Sequence, residues 1–365
     1  MRTIDYGVFM PVCNTGWIPS TTTPPLDGSY QLNLRVARLA EELGFDFTLS
    51  QANWKGKGGP SRAMDDNLES LTTSAGLAQG TQRIGVWSTA HTMTYNPGVL
   101  AKIYATQDQI SGGRTGLNVV AGGSPTAEGQ FGLWHGLDHP GRYRRAAEWV
   151  QCLKALWTQD HVDFDGEFFT LTNCESWPKP RRVPPMISAA NSDVGLRFAA
   201  RELDGSLIEG TSRAEVVELG QRAKRICAEE GGHLKTYCVF MLIPGETDAD
   251  AQARIELYNE GRDLVAITGL IDEWTADGKD NSFAERIKEV GLTATAVSTG
   301  TIAGSVETIV QELTETIEEA DLDSAVFIMP DFIDDLEIIG REIIPGLARN
   351  GIVGTHLSTT TGAAA

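Results

Sequence analysis

The chain has 365 residues, of which 41% are hydrophobic and 22% charged, and its formal net charge is −19 at pH 7. This balance is ordinary for a globular protein, and the negative charge disfavours nucleic acids and anionic membranes as partners because both would repel it. No apolar run reaches the length of a membrane span and no signal peptide opens the chain, so we expect a cytoplasmic protein.

Hydrophobic periodicity and the positions of glycine and proline divide the chain into alternating strands and helices. The first part contains predicted strands at 4–12, 45–50, 83–89 and 114–120, with helices at 32–43, 67–78 and 97–110. A loop at 122–140, a helix at 141–157 and a hairpin at 162–171 follow. The remaining predicted strands are 186–190, 205–209, 236–243 and 323–329, and the remaining helices are 192–202, 215–229, 247–265, 306–317 and 336–348.

Strands that alternate with helices predict an α/β fold with a parallel sheet, and eight such strands favour a (β/α)8 TIM barrel. An open dinucleotide-binding sheet would need G-x-G-x-x-G after its first strand, and this motif is missing after Val12. Three of the four long loops, at 14–30, 51–66, 122–140 and 266–300, follow strands and would be insertions at their carboxyl ends. We predict one domain over 1–355, a flexible tail over 356–365, and no strand within 270–301.

The stretch from Ser111 to Gly123 carries the strongest local signal. It reads as a strand between two glycine pairs, and alternation places Gly116, Asn118 and Val120 on one face. A buried asparagine needs a hydrogen-bond partner. Asn118 is therefore either a satisfied core amide or a ligand contact at the carboxyl end of a barrel strand, where such folds keep their active sites.

Further polar residues stand where other predicted strands end or helices begin. Asn53 and Thr89 follow the second and third strands, Arg142-Tyr143 opens a helix, and Ser192 precedes another. A helix N-terminus with serine suits a phosphate and arginine suits an anion, although Ser192 could equally be an N-cap and Arg142 a surface charge. Together they predict a cleft for a flat, polar, phosphate-bearing ligand, a cofactor that would carry the chemistry.

Other kinds of chemistry find little support. No G-x-S-x-G motif exists, and the five cysteines are scattered without a CxxC or Cys/His cluster. His135 and His139 lie four residues apart, but no H-E-x-x-H accompanies them. We therefore predict no metal site.

Several stretches together resemble a known family. They are 45–50 (FDFTLS), 67–70 (NLES), 110–120 (ISGGRTGLNVV), 132–134 (GLW), 142–143 (RY), 165–169 (DGEFF) and 191–193 (NSD). Their order and spacing resemble the bacterial-luciferase-like flavin monooxygenases, in the branch with alkanesulfonate and dimethylsulfone monooxygenases, and most of all the pyrimidine monooxygenases of uracil degradation.

This resemblance implies a two-component monooxygenase. Reduced FMN, supplied by a separate NAD(P)H-dependent flavin reductase, would trap O2 as a flavin peroxide that oxygenates and cleaves a small substrate such as a cyclic amide. A homodimer or homotetramer is implied as well. The alternatives are a sulfone or alkanesulfonate monooxygenase, a deazaflavin-dependent oxidoreductase of the same superfamily, and a flavin-binding protein without catalysis.

The resemblance also implies residue roles. The implied flavin contacts are Ala52, Asn53, Asn118, Glu128, Arg142, Tyr143 and Ser192. The implied oxygen pocket consists of Leu49, Thr89 and Asn118. At 120–123 the family reads Val-Thr-Gly-Trp, whereas this chain reads Val-Ala-Gly-Gly. Gly123 therefore predicts a substrate bulkier than uracil, unless Trp54, Trp87 or Trp134 fills the space.

Overall fold

The computed structural model describes residues 1–123, 125–275, 295–297 and 300–355. The strands are β1 (Arg2–Phe9), β2 (Phe47–Ser50), β3 (Gly85–His91), β4 (Thr115–Val120), β5 (Val162–Asp165), β6 (Thr170–Cys174), β7 (Met186–Ala189), β8 (Gly205–Ile208), β9 (Lys235–Pro244), β10 (Thr301–Gly304), β11 (Ser324–Ile328) and β12 (Ile352–Gly354). The helices are α1 (Tyr30–Glu42), α2 (Ser70–Gly80), α3 (Pro97–Ser111), α4 (His139–Thr158), α5 (Asp193–Glu202), α6 (Arg213–Glu230), α7 (Asp248–Glu260), α8 (Leu264–Thr275), α9 (Val306–Glu319), α10 (Asp334–Ile338) and α11 (Ile344–Arg349).

Eight parallel strands close into a barrel in the order β1, β2, β3, β4, β7, β8, β9, β11 and back to β1. These are the eight strands that the sequence predicts, so the (β/α)8 barrel is confirmed. The predicted hairpin is present as β5 and β6, an antiparallel pair outside the ring. Within the described residues, no helix has both the length and the apolar character of a membrane span.

The eight strands of the barrel are buried on both faces, as parallel strands are when helices cover the sheet. Along β9, Val239, Met241 and Ile243 belong to the apolar cluster inside the barrel. The alternate residues Phe240 and Leu242 pack outward in the cluster beneath the helices. Alternation in β9 thus separates the barrel interior from the layer between barrel and helices.

The strand β4 follows the face assignment made from its sequence. Leu117 and Val119 pack outward, whereas Asn118 and Val120 line a cavity at the end of the barrel. A Cβ atom on Gly116 would lie 2.4 Å from the Trp87 ring, so this inward position requires glycine. The preceding helix α3 ends at Gly112, which has a φ of 72°, a conformation that glycine adopts cheaply.

Two predictions for the region after β9 are wrong. The single helix expected over 247–265 is two helices, because the Asp263 carboxylate accepts hydrogen bonds from the Val265 and Ala266 amides and starts α8. The expected irregular segment 270–301 begins inside α8, and β10 at its end is a strand beside the second half of β9. Residues 276–294 and the predicted tail at 356–365 lie outside the described residues.

Candidate active site

A cavity of about 500 Å³ opens where the barrel strands end. That volume falls in the usual range for small-molecule and cofactor sites, about 300–1,000 Å³. One wall is polar and comes from the exits of β2, β3 and β4 and from the starts of α4 and α5. The other is apolar and consists of Phe9, Trp17, Leu207 and Val239, with Leu270 of α8. A ligand with one polar edge and one apolar surface would match both walls.

Thr89 and Asn118 form the centre of the polar wall. They are paired residues of β3 and β4, and Asn118 Nδ2 donates a hydrogen bond of 3.1 Å to Thr89 Oγ1. Both side chains are buried, and Asn118 Oδ1 has no hydrogen-bond partner among the described residues. Because a buried acceptor without a partner is costly, this oxygen calls for a ligand that donates a hydrogen bond. Of the two readings of Asn118, the ligand contact fits better than the satisfied core amide.

Arg142 lies in the first turns of α4 and lines the cavity. It is only 3% exposed, so the alternative reading as a surface charge is wrong. Its Nη1 donates to the Leu137 carbonyl at 3.1 Å, and its guanidinium lies 5.9 Å from the centre of the Trp134 ring. These contacts hold a buried cation against the cavity, where an anionic group of a ligand would be strongly attracted.

Ser192 caps α5, as one of its two readings predicts, and it also lines the cavity, so the phosphate contact stays a prediction. Its hydroxyl accepts a hydrogen bond of 3.2 Å from Gly195 N. A Cβ atom on Gly195 would lie only 2.5 Å from the Tyr143 hydroxyl, so glycine allows that phenol to approach the first turn of α5. Tyr143 and Ser192, predicted from distant parts of the sequence, therefore meet at one helix start.

The loop after β2 contributes Ala52 and Asn53 to the same cavity. Asn53 Nδ2 is buried and has no partner among the described residues, which makes it a second polar atom awaiting a ligand. Lys57 of this loop forms an ion pair with Glu273 of α8, and both side chains line the cavity. The pair joins the loop after β2 to a helix more than 200 positions away.

Leu49 and Glu128 are placed differently from the other predicted site residues. Leu49 is fully buried in the barrel interior, in the same apolar cluster as the cavity-lining residues Leu207 and Val239. Glu128 is fully buried before a short 3-10 turn, and its Oε1 is hydrogen bonded to His91 Nδ1. His91 lines the cavity at the end of β3, and the sequence analysis missed it.

The structure corrects the interpretation of Gly123. A Cβ atom at this position would lie 3.0 Å from Cδ and Oε2 of Glu128. The space beside Gly123 is therefore taken by a carboxylate, and not by Trp54, Trp87 or Trp134. Trp87 stacks on Phe47 inside the barrel instead. The missing side chain thus makes room for Glu128, so it no longer argues for a bulkier substrate.

Cysteine and histidine side chains also lie at or beside the cavity. Cys13 Sγ accepts a hydrogen bond from Gln51 Nε2 at 3.1 Å, and burial raises the pKa of its thiol to about 12, so it stays protonated at neutral pH. His139 lines the cavity with its ring against Tyr143, whereas His135 is exposed. Across the ranges that the structure describes, no cluster of three or more His, Cys, Asp or Glu side chains could hold a metal ion.

Fold and site together define a class: a (β/α)8 barrel with a cavity lined by its strand exits and by the starts of α4 and α5. Comparison with known proteins agrees. The family model for luciferase-like monooxygenases matches residues 4–324. Pyrimidine monooxygenase RutA of Acinetobacter baylyi is 34% identical over 362 residues, which cover 97% of this chain and 98% of that protein. RutA of Stutzerimonas stutzeri is 35% identical over 347 residues, covering 94% and 96%.

A solved structure of a riboflavin lyase, RcaE, with modified FMN and its substrate riboflavin, superposes with a TM-score of 0.84 at 18% identity, covering 96% of this chain and 93% of that one. This likeness supports the fold alone. The chain belongs to the luciferase-like monooxygenase family, a class of flavin-dependent monooxygenases. The resemblance seen in the sequence motifs is thereby confirmed, and the enzyme class with it.

Proposed function

We propose that this protein is a two-component monooxygenase that uses reduced FMN and O2 to oxygenate and cleave a small cyclic amide or pyrimidine-like compound. A separate NAD(P)H-dependent reductase would provide the reduced FMN. The observation that carries the proposal is the convergence on one cavity of buried Arg142, the α5 start at Ser192, and Asn118 Oδ1, which has no partner in the part of the chain that the structure describes. The substrate class follows the names of the relatives, which are pyrimidine monooxygenases.

The residues present fit FMN. Arg142 offers a buried cation to the phosphate, and Ser192 offers a hydroxyl at a helix start, where anions are stabilised. Asn118 Oδ1 needs a donor, and a reduced flavin ring carries more N–H groups than an oxidised one. We therefore assign Ala52, Asn53, Asn118, Arg142, Tyr143 and Ser192 to flavin binding. Glu128, the remaining flavin contact implied by the resemblance, is bonded to His91 and is left out of this assignment.

When bound, reduced FMN would supply the two electrons with which O2 is activated. The protein would provide orientation and a dry site. Asn118 and Thr89, fixed by their mutual hydrogen bond, would present one acceptor at the polar wall next to the reacting atoms. Phe9, Trp17, Leu207 and Val239 would exclude water from the opposite side, which keeps the activated oxygen from being lost as hydrogen peroxide. Leu49 would close this pocket from below.

Anaerobic titration tests the cofactor assignment. Reduced FMN should bind more tightly than oxidised FMN, because only the reduced ring adds a donor for Asn118 Oδ1, and more tightly than a reduced deazaflavin cofactor. Turnover is then tested with a generic flavin reductase and a panel of cyclic amides that includes uracil, scored by mass gain or ring opening. Tighter binding of the deazaflavin would refute the FMN assignment. Flavin binding without substrate-dependent O2 consumption would refute the enzymatic role.

A further inference from the structure

The pair His91–Glu128 is a titratable unit on the cavity wall that the flavin assignment does not use. His91 is the last residue of β3, two positions beyond Thr89, so the two side chains share the face that lines the cavity. Its Nδ1 is hydrogen bonded to Glu128 Oε1. The His91 side chain is 14% exposed and that of Glu128 is fully buried.

The surroundings of Glu128 are arranged to accept a carboxylate. Glu128 follows β4 in the chain and is 37 positions away from His91. Its Oε2 lies against Gly123, where a Cβ atom would come within 3.0 Å. A buried carboxylate is stable only when it is paired and hydrogen bonded, and an imidazole that can carry a proton is such a partner. Gly123, Glu128 and His91 therefore form one structural unit.

This geometry fixes what His91 can do. With Nδ1–H donated to Glu128, the ring orientation and the tautomer are set. Nε2 has no hydrogen-bond partner among the described residues, and the residue lines the cavity. When an imidazole is protonated, both ring nitrogens are donors, so with Nδ1–H on Glu128 the second donor, Nε2–H, is available to a molecule in the cavity. The pair can thus hold a proton on Nε2 and present it to a bound molecule.

We propose that His91 is a catalytic residue that protonates the leaving nitrogen of the substrate, with Glu128 as its positioning residue. The proposal rests on the monooxygenase function proposed above. Reduced FMN would supply two electrons, one oxygen atom of O2 would bond to the amide carbon, and the other would leave with the oxidised flavin as the O–O bond breaks. The C–N bond breaks, its electron pair goes to nitrogen, and nitrogen takes the proton from Nε2. Neutral His91, still bonded to Glu128, is then reprotonated from water.

The test uses the full-length protein with reduced FMN, O2, and uracil, thymine and glutarimide as probes. His91→Gln keeps a donor for Glu128 but cannot carry the proton, and we expect product formation to fall by about 100-fold or more, the lower end for a lost general acid. Reduced-FMN binding should stay within about twofold. His161→Gln is the matched control, since His161 and Glu175 form an exposed pair outside the cavity.

Two readouts separate catalysis from a structural role. A general acid has to carry its proton, so product formation in wild type should fall as pH rises, and this limb of the profile should vanish in His91→Gln. The other titratable groups of the cavity remain in that variant: Lys57, His139, Arg142, Tyr143, Glu209 and Glu273. In His91→Ala, added imidazole should restore turnover, and it should fail to do so when Glu128→Gln is also present.

The outcomes are distinct. If wild type forms product and His91→Gln matches it in rate and pH profile, the role of His91 is overturned while the proposed function stands. The role of His91 is also overturned if His91→Gln loses thermal stability and flavin affinity in proportion to its activity, and imidazole does not restore turnover in His91→Ala. If wild type binds no reduced FMN, both proposals fall together.

Discussion

Arg142→Ala is the sharpest test of the cofactor site, because Arg142 is buried and lines the cavity at a helix start. An exposed ion pair is worth about 0–1 kcal/mol, whereas a hydrogen bond to a charged group in a buried setting is worth about 1.5–3 kcal/mol. At about 1.4 kcal/mol per tenfold change, the dissociation constant for reduced FMN should rise roughly 10- to 150-fold.

Riboflavin, which lacks the phosphate, makes the experiment specific. In anaerobic titrations, Arg142→Ala should bind reduced FMN more weakly than wild type does, and should bind reduced riboflavin with nearly the same affinity. Added salt should weaken FMN binding more in wild type than in the variant. Arg144→Ala is the matched control, because Arg144 is two positions along the same helix, 57% exposed, and paired with Glu167. Equal losses for FMN and riboflavin would refute the phosphate contact and assign Arg142 to packing against Trp134.

Three further predictions follow from the site and its surroundings. Asn118→Ala should lower product per reduced flavin and raise hydrogen peroxide, since a contact made in the transition state is lost; reduced thermal stability with an unchanged ratio would instead make it a core amide. Gly123→Trp should lower product yield more than Gly123→Ala, because even a Cβ meets Glu128 at 3.0 Å; equal yields in all three proteins would contradict this. Burial raises the pKa of Cys13 to about 12 from 9.0, so the unfolded chain loses this proton first. The free energy of unfolding of the wild type should therefore fall as pH rises from 9 to 12. Denaturant titrations of wild type and Cys13→Ala measure this fall, and the same pH dependence in both proteins would refute the prediction.

The sequence is enough to locate every strand of the barrel, because each is an apolar run bounded by glycine, proline or polar turn residues. It does not locate β10, whose four residues Thr301–Gly304 are too short and mixed to form such a run. The helix break at Asp263 was missed as well, since the carboxylate that starts α8 also accepts hydrogen bonds from Ser61, which lies in a distant loop. Local sequence patterns do not reveal contacts between residues that are far apart in the chain and meet only after folding.

The same limit applies to the site. Asn118, Thr89, Arg142 and Ser192 were found because strand ends and helix starts are visible in the sequence. His91 was missed because the predicted strand stopped at residue 89, two positions before its actual end. His91 and its partner Glu128 are 37 positions apart in the chain. Lys57 and Glu273, which form an ion pair, are 216 positions apart. Whether the chain forms one domain, and whether it assembles as a dimer or tetramer, stay predictions.

The long strand β9 pairs with different strands along its length. Its first half pairs with β8 inside the ring, and Met241–Pro244 pair with β10 outside it. The ring is complete without β10, and α8, which follows β9 and α7 in the chain, reaches the cavity through Leu270 and Glu273. Mutation and selection can therefore reshape this side of the cavity for a new substrate while the polar exits of β2, β3 and β4 stay as they are.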